Sequence, residues 1–165
     1  MSENQDLAQL AKDIISTNQY MTIASVDSKG VPWASALCYA YDSNYNFYWV
    51  SLPSSKHQSN ISNNSEVSFA IFDSHQDWGE GDGIQGNATV EKVALSEIVH
   101  AQTTFFTRDY PYGKKNVVSA YGDGLRSLLK GKIYYFYKAV PTKIWVPDPN
   151  ADVDARIEVS LEALK

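Results

Sequence analysis

Apolar residues recur along this chain in two rhythms, and the change from one to the other divides it. From Asn4 to Thr17, Leu7, Leu10, Ala11 and Ile14 fall at helical spacing after a polar start, which predicts an amphipathic helix lying as a lid over a sheet end. From Tyr20 onward the rhythm becomes alternation. "YMTIASVD", "VPWASALCYAYD" and "NFYWVSL" read as three strands joined by the turns "SKG" and "SNYN", an antiparallel meander. "EVSFAIFD" and "GIQGNATVEKV" follow as two more, separated by a loop that starts at Ser74. "ALSEIVHAQTTFF" returns to helix, with Leu95, Ile98, Val99, Gln102 and Phe105 near one face and Ser96 as its cap. A second short helix is expected from Gly124 to Lys130, closed by Gly131. "KIYYFYKAVPTKIWVPD" then alternates as a late strand that Pro141 interrupts at a bend or edge. No repeat or linker divides residues 1–165, so one domain is expected. Its fold class is mainly β: a small closed or partly closed antiparallel barrel, Greek-key-like, with peripheral helices.

Composition narrows the partners. A chain of 165 residues with 44% apolar and 20% charged residues buries a core without a disulfide or metal staple. Its net charge of −5 repels polyanions, so nucleic acid is not expected as a partner. Cys38 is the single cysteine and has no basic neighbour in sequence, which predicts a buried, inert thiol. The start "MSENQDLAQL" lacks the basic and apolar segments of a secretory signal, and no run is long enough for a membrane helix. A soluble, cytoplasmic protein is the expectation.

Two stretches carry candidate chemistry. Along "VPWASALCYAY" one parity holds Val31, Trp33, Ser35, Leu37, Tyr39 and Tyr41, and the other Pro32, Ala34, Ala36, Cys38 and Ala40. Successive strand residues face opposite ways, so one face is bulky and the other nearly bare. A bare face admits a packed element or a planar ligand. In "YWVSLPSSKHQSNIS" the strand ends near Leu52, Pro53 turns the chain, and Ser54 or Ser55 becomes the N-cap of a short polar helix through Asn60. Unpaired backbone N–H groups, the helix dipole, two hydroxyls and Lys56 then lie within one turn, a donor set suited to phosphate. A solvated cap is the plainer reading of the same residues.

Other clusters argue less. His57, His75 and His100 show no ligand spacing, and no metal site is expected. His57 reads as a solvated residue of a polar helix. Asp73, Asp77, Glu80 and Asp82 lack the order of an EF-hand, and "GEGDG" has acids where a phosphate loop has lysine. No "GxSxG" supports hydrolase chemistry. Arg108, Lys114 and Lys115, set among tyrosines, suggest a basic, aromatic rim that covers a bound ligand's edge.

The order of bare-faced strand, aromatic strand, "SSKHQSNISNN", buried "EVSFAIF" and then "IQGNATVE" resembles the FMN-binding split barrel of the pyridoxamine 5′-phosphate oxidase-like superfamily, over about Tyr20 to Val93. The resemblance implies a homodimer with FMN at the interface. It assigns the flavin phosphate to Ser54, Ser55 and Lys56, and the ring edge to the backbone of Trp33, Ala34, Ser35, Ala36 and Leu37. Trp49, Val50 and Ser51 flank the ring, Gln85 and Gly86 approach it, and Trp145 comes from the partner subunit. It implies an oxidoreductase that moves electrons between FMN and a small substrate or reduced nicotinamide. Deazaflavin and heme are alternative cofactors, a non-catalytic storage or stress protein is the alternative role, and an empty barrel acting in protein association is a third. The second strand carries no Lys or Arg, and the tail offers only Arg156 before its terminal lysine. Oxidation of pyridoxamine phosphate itself is therefore not expected.

Overall fold

The computed structural model describes residues 3–77, 82–111, 130–131, 133–151 and 155–165. Helix α1 (Glu3–Thr17) leads into β1 (Tyr20–Val26), β2 (Pro32–Cys38), β3 (Ala40–Tyr41) and β4 (Phe47–Ser51). Helix α2 (Lys56–Asn63), β5 (Glu66–Phe72), β6 (Gly83–Lys92), a 3₁₀ turn (Leu95–Glu97), α3 (Ile98–Thr107), β7 (Tyr135–Pro147) and β8 (Arg156–Val159) follow. Among the described residues no helix is long and apolar enough to cross a membrane.

All eight strands form one antiparallel sheet in the order β2-β1-β5-β6-β7-β4-β3, with β8 paired to β7 beside β4. The two ends of that order, β2 and β3, are one extended run broken only at Tyr39. The sheet therefore curls back on itself, a split barrel with helices around it. Met21, Ile23, Phe47, Trp49, Val67, Phe69, Ile71, Ile84 and Val90 alternate into the interior, and α1 adds Leu7, Ala11, Ile14 and Ile15 to the same core. On the outside, α3 covers Tyr48 and Phe136 with Ala101 and Phe105, a second, smaller cluster. Strand β4 is buried on both faces for this reason, which explains its unbroken apolar run.

Several boundaries differ from the sequence expectation. The third helix starts one residue later, because Leu95–Glu97 take 3₁₀ form and Glu97, not Ser96, precedes the α-helix. Strand β8 has no strong alternation in sequence and owes its place to the edge that β7 exposes past the end of β4. Cys38 is half-buried rather than buried. The helix expected from Gly124 to Lys130 lies outside the described residues, except for Lys130.

One irregularity orients the whole late strand. Asn87 pairs with Lys143 and Ala88 with Pro141, so Thr142 is an extra residue, a β-bulge at the proline. Before the bulge Tyr137, Ala139 and Pro141 face inward. After it Ile144 and Val146 do, both fully buried, and Lys143 and Trp145 face out.

Candidate functional site

The strand registers place small side chains side by side on the barrel's outer face. One row runs Ala36, Thr22, Ala70, Gln85, Trp145; the next runs Ala34, Ala24, Ser68, Asn87, Lys143. Directly opposed residues of antiparallel strands share a face, so these ten form one field about 19 Å across, four strand spacings. The Asn87 amide donates to Ser68 Oγ at 3.0 Å, and at the β7 end of the field the Lys143 ammonium lies 5.8 Å from the Trp145 ring centre. A shallow cavity of about 370 Å³ lies over Thr22, Ala24, Ser68, Gln85 and Trp145. The sequence shows the bare side of β2, but its continuation across β1, β5 and β6 depends on register.

The second part of the site lies at the start of α2. Ser55 is the N-cap residue, as expected, yet its hydroxyl makes no cap hydrogen bond. It lies instead 3.2 Å from Ser51 Oγ and 3.2 Å from His57 Nε2, and Ser51 Oγ is 3.0 Å from the same nitrogen. His57 is buried, and desolvation holds its pKa below the ordinary 6.5, so the imidazole is neutral at pH 7. Two hydroxyl hydrogens and one ring nitrogen cannot close all three contacts at once. When Nε2 carries the proton, it donates to one serine, that serine donates to the other, and one hydroxyl hydrogen remains for a ligand. The uncapped backbone N–H groups of the helix start add further donors.

Lys56 is held nearby. Its ammonium lies 3.5 Å from Asp27, whose carboxylate accepts hydrogen bonds from Lys29 N and Val31 N in the β1–β2 turn. Those two backbone bonds, with Lys56 a smaller contribution, keep Asp27 ionised below the usual carboxylate range. The ammonium is about half exposed, and such a pair contributes only about 0–1 kcal/mol, so an arriving anion displaces it at little cost. Asp27 lies three residues beyond Ala24, about 10 Å along the strand, so Lys56 is at the same end of β1 and β2 as Ala24 and Ala34.

A family model described as pyridoxamine 5′-phosphate oxidase matches residues 7–134, more than half of the chain. The chain belongs to the pyridoxamine 5′-phosphate oxidase family. Among curated proteins none matches the sequence. Solved structures share the fold of this family member at low identity. A heme binding protein from Mycobacterium smegmatis superposes with a TM-score of 0.69 at 14% identity, over 99% of this chain and 60% of that one. HutZ, the heme storage protein from Vibrio cholerae, gives a TM-score of 0.58 at 14% identity, over 85% of this chain and 94% of its own. A Clostridium acetobutylicum protein related to general stress protein 26 gives 0.65 at 10% identity, over 98% and 99%. The chain thus spans about three-fifths of the Mycobacterium smegmatis protein.

The remaining residues that the family resemblance singles out take different positions. Ala34, Ala36, Gln85 and Trp145 all stand on the open outer face. Trp33 and Ser35 have the opposite parity, and the Trp33 indole donates to Ser35 Oγ at 3.0 Å. Trp49 is 1% exposed and stacks on Tyr137, so its indole fills the core and only its backbone is left for a ligand. Val50 packs beneath α3, Ser51 joins the His57 cluster, and Ser54 is exposed in the turn. Gly86 faces inward: a Cβ there meets Phe69 Cζ at 2.3 Å and the Lys143 carbonyl at 2.8 Å, so packing explains this glycine.

Three further side chains correct or extend the sequence reading. His57 is no solvated residue; its serine partners come from a strand end and a cap, a proximity that spacing hides. Arg108 is not a free rim residue. Its guanidinium donates to the carbonyls of Tyr39, Ile15 and Asn18 and lies 4.4 Å from the Tyr39 ring centre, tying α3 to the end of α1. Lys114 and Lys115 lie outside the described residues. Arg156 donates to Gly83 O at 2.9 Å, so the tail's arginine is engaged in a structural hydrogen bond.

Proposed function

We propose that this protein binds FMN at the interface of a homodimer and works as an oxidoreductase on a small substrate other than pyridoxamine phosphate, with reduced nicotinamide or a small organic molecule exchanging electrons with the cofactor. The observation that carries the reading is the Ser51, Ser55, His57 cluster at a helix start whose serine makes no cap hydrogen bond, beside Lys56. This donor set fits a phosphate monoester: Ser55, the helix backbone N–H groups and Lys56 hold its oxygens, and Ser51 and His57 orient Ser55. Bound FMN supplies the two-electron chemistry. The chain supplies position and exclusion of water. Its small outer-face residues Ala34, Ala36, Thr22 and Ala70 let a planar ring or a second copy approach the backbone, Gln85 approaches the ring, and Trp145 of the partner subunit completes the pocket. The absence of Lys or Arg from β2, and the engagement of Arg156 with Gly83, support a substrate without a phosphate of its own.

The second reading is a non-catalytic heme- or flavin-binding protein in storage or stress response, with deazaflavin a further cofactor of the same phosphate chemistry. The fold shared with the heme-binding and heme-storage proteins favours it over an empty barrel.

Flavin fluorescence quenching with FMN and riboflavin tests the first reading. Each charge-assisted hydrogen bond to phosphate contributes about 1.5–3 kcal/mol, about 10- to 150-fold in affinity. FMN should bind more tightly than riboflavin by at least that factor, and Lys56→Ala and Ser55→Ala should remove most of the preference. Equal affinity for the two flavins would sink the phosphate assignment, and saturation by hemin with no flavin binding would favour the second reading.

A further inference from the structure

The bare outer face ends in two aromatic rings. Tyr20 and Phe72 stand two residues beyond the paired Thr22 and Ala70 on β1 and β5, so they lie on the same face, and each is 56% exposed. Both line a cavity of about 410 Å³ that shares Thr22 and Ala70 with the shallow cavity of the candidate site. Asp73, which follows Phe72, and His75 line it as well. The His75 backbone N–H and its ring Nδ1–H both donate to Asp73 Oδ1, each at 2.9 Å, so Oδ2 remains as an acceptor on a side chain that is 32% exposed. These bonds, the backbone one first, hold the carboxyl below the usual carboxylate range, and it is ionised at pH 7. The remaining polar lining, Asn18, Gln19 and Ser74, is uncharged, and the described lining holds no Lys or Arg.

We propose that this cavity is a ligand subsite for a small aromatic amine, whose ammonium donates to Asp73 Oδ2 while its ring rests against Tyr20 and Phe72. Exposed aromatic faces favour a ring, and a carboxylate with an open oxygen favours a cation. An anion finds no Lys or Arg here to hold it. The volume is near the lower limit of small-molecule pockets, which selects a ligand of one or two rings and excludes a dinucleotide. Thr22 and Ala70 belong to both cavities, so an amine bound here adjoins a planar ring held over the small residues. Its role as the substrate, unlike its binding, rests on the flavin reading.

Benzylamine is the probe, with benzyl alcohol and benzoate as its neutral and anionic counterparts, in ¹H–¹⁵N NMR titrations of the full chain that follow the backbone amides of Phe72, Asp73 and His75. Benzylamine should shift these signals saturably and bind about fivefold or more tighter than benzyl alcohol, with benzoate weaker still. Asp73→Asn keeps an oxygen that accepts from His75 and removes the charge, so it should bring benzylamine down to the level of benzyl alcohol. Phe72→Ser should weaken benzylamine and benzyl alcohol alike, by about two- to tenfold. On FMN-free protein the same titration reads the subsite by itself. A protein that takes up no FMN yet binds benzylamine therefore refutes the flavin reading and leaves this site standing. Absence of a saturable shift, the result if a second copy covers Tyr20 and Phe72, overturns the proposal. So do equal affinity for the three probes, or full benzylamine affinity in Asp73→Asn.

Discussion

Replacing Gly86 by alanine separates a packing role from a ligand role at a position where both have been assigned. The added methyl meets Phe69 Cζ and Cε1 at 2.3 and 2.5 Å and the Lys143 carbonyl oxygen at 2.8 Å. Ordinary carbon contacts lie near 3.5–4 Å, so the ring must retreat by about 1 Å. It has little room to do so, because Phe69 is 4% exposed and packs edge-on to Phe47 with ring centres 5.3 Å apart. The carbonyl belongs to the paired strand β7 and moves only with the ladder. Overpacking of this kind costs about 1–3 kcal/mol, and the doubly blocked retreat puts Gly86→Ala at the upper end, about 2–3 kcal/mol. For a chain of this size about 2–4 °C of Tm is lost per kcal/mol, so a fall of about 4–12 °C is expected. Calorimetry on Gly86→Ala, Phe69→Leu and the double variant provides the assay. Shortening Phe69 should recover part of the loss, giving a coupling of about 1 kcal/mol or more. A fall below 2 °C, or strictly additive losses, refutes the steric argument. Loss of FMN binding at full stability would instead show that the glycine serves close approach of a ligand.

Two further outcomes follow from the same structure. Arg108→Met leaves the carbonyls of Ile15, Asn18 and Tyr39 without their charged donor and should cost about 2–4 kcal/mol, with faster hydrogen exchange at the end of α1; Arg108→Lys should restore only part, since one ammonium does not replace a planar fork. For His57 the folded pKa lies below 6.5, so neutral His57 contributes stability that is complete above pH 6.5 and is lost as pH falls through the folded value. Denaturation midpoints of wild type should therefore fall more steeply between pH 7.5 and 5.5 than those of His57→Gln, and parallel curves would contradict the buried, neutral assignment.

Local pattern was enough for much of this protein. The helical spacing of α1, the alternation of β1, β2, β5 and β6, and the Pro53 turn into an α2 with serine at its N-cap position all follow from side-chain periodicity and turn chemistry, which act within a few residues. The bare side of β2 and the Ser55, Lys56 donor set were legible for the same reason. Tertiary structure alone decided which residues become neighbours across strands. Register extends the bare face from Ala36 through Thr22 and Ala70 to Gln85. Barrel curvature and the α2 turn bring Ser51 and His57 together, and an arginine from α3 finds the carbonyls at the end of α1. The bulge at Thr142 shows the difference most plainly: strict alternation from Ala139 would send Trp145 into the core with Pro141. One unpaired residue reverses the parity and sets that indole beside Gln85 on the outer face. Side-chain direction in a strand is counted from its pairing partners, and those are chosen by the packed sheet rather than by the strand's own sequence.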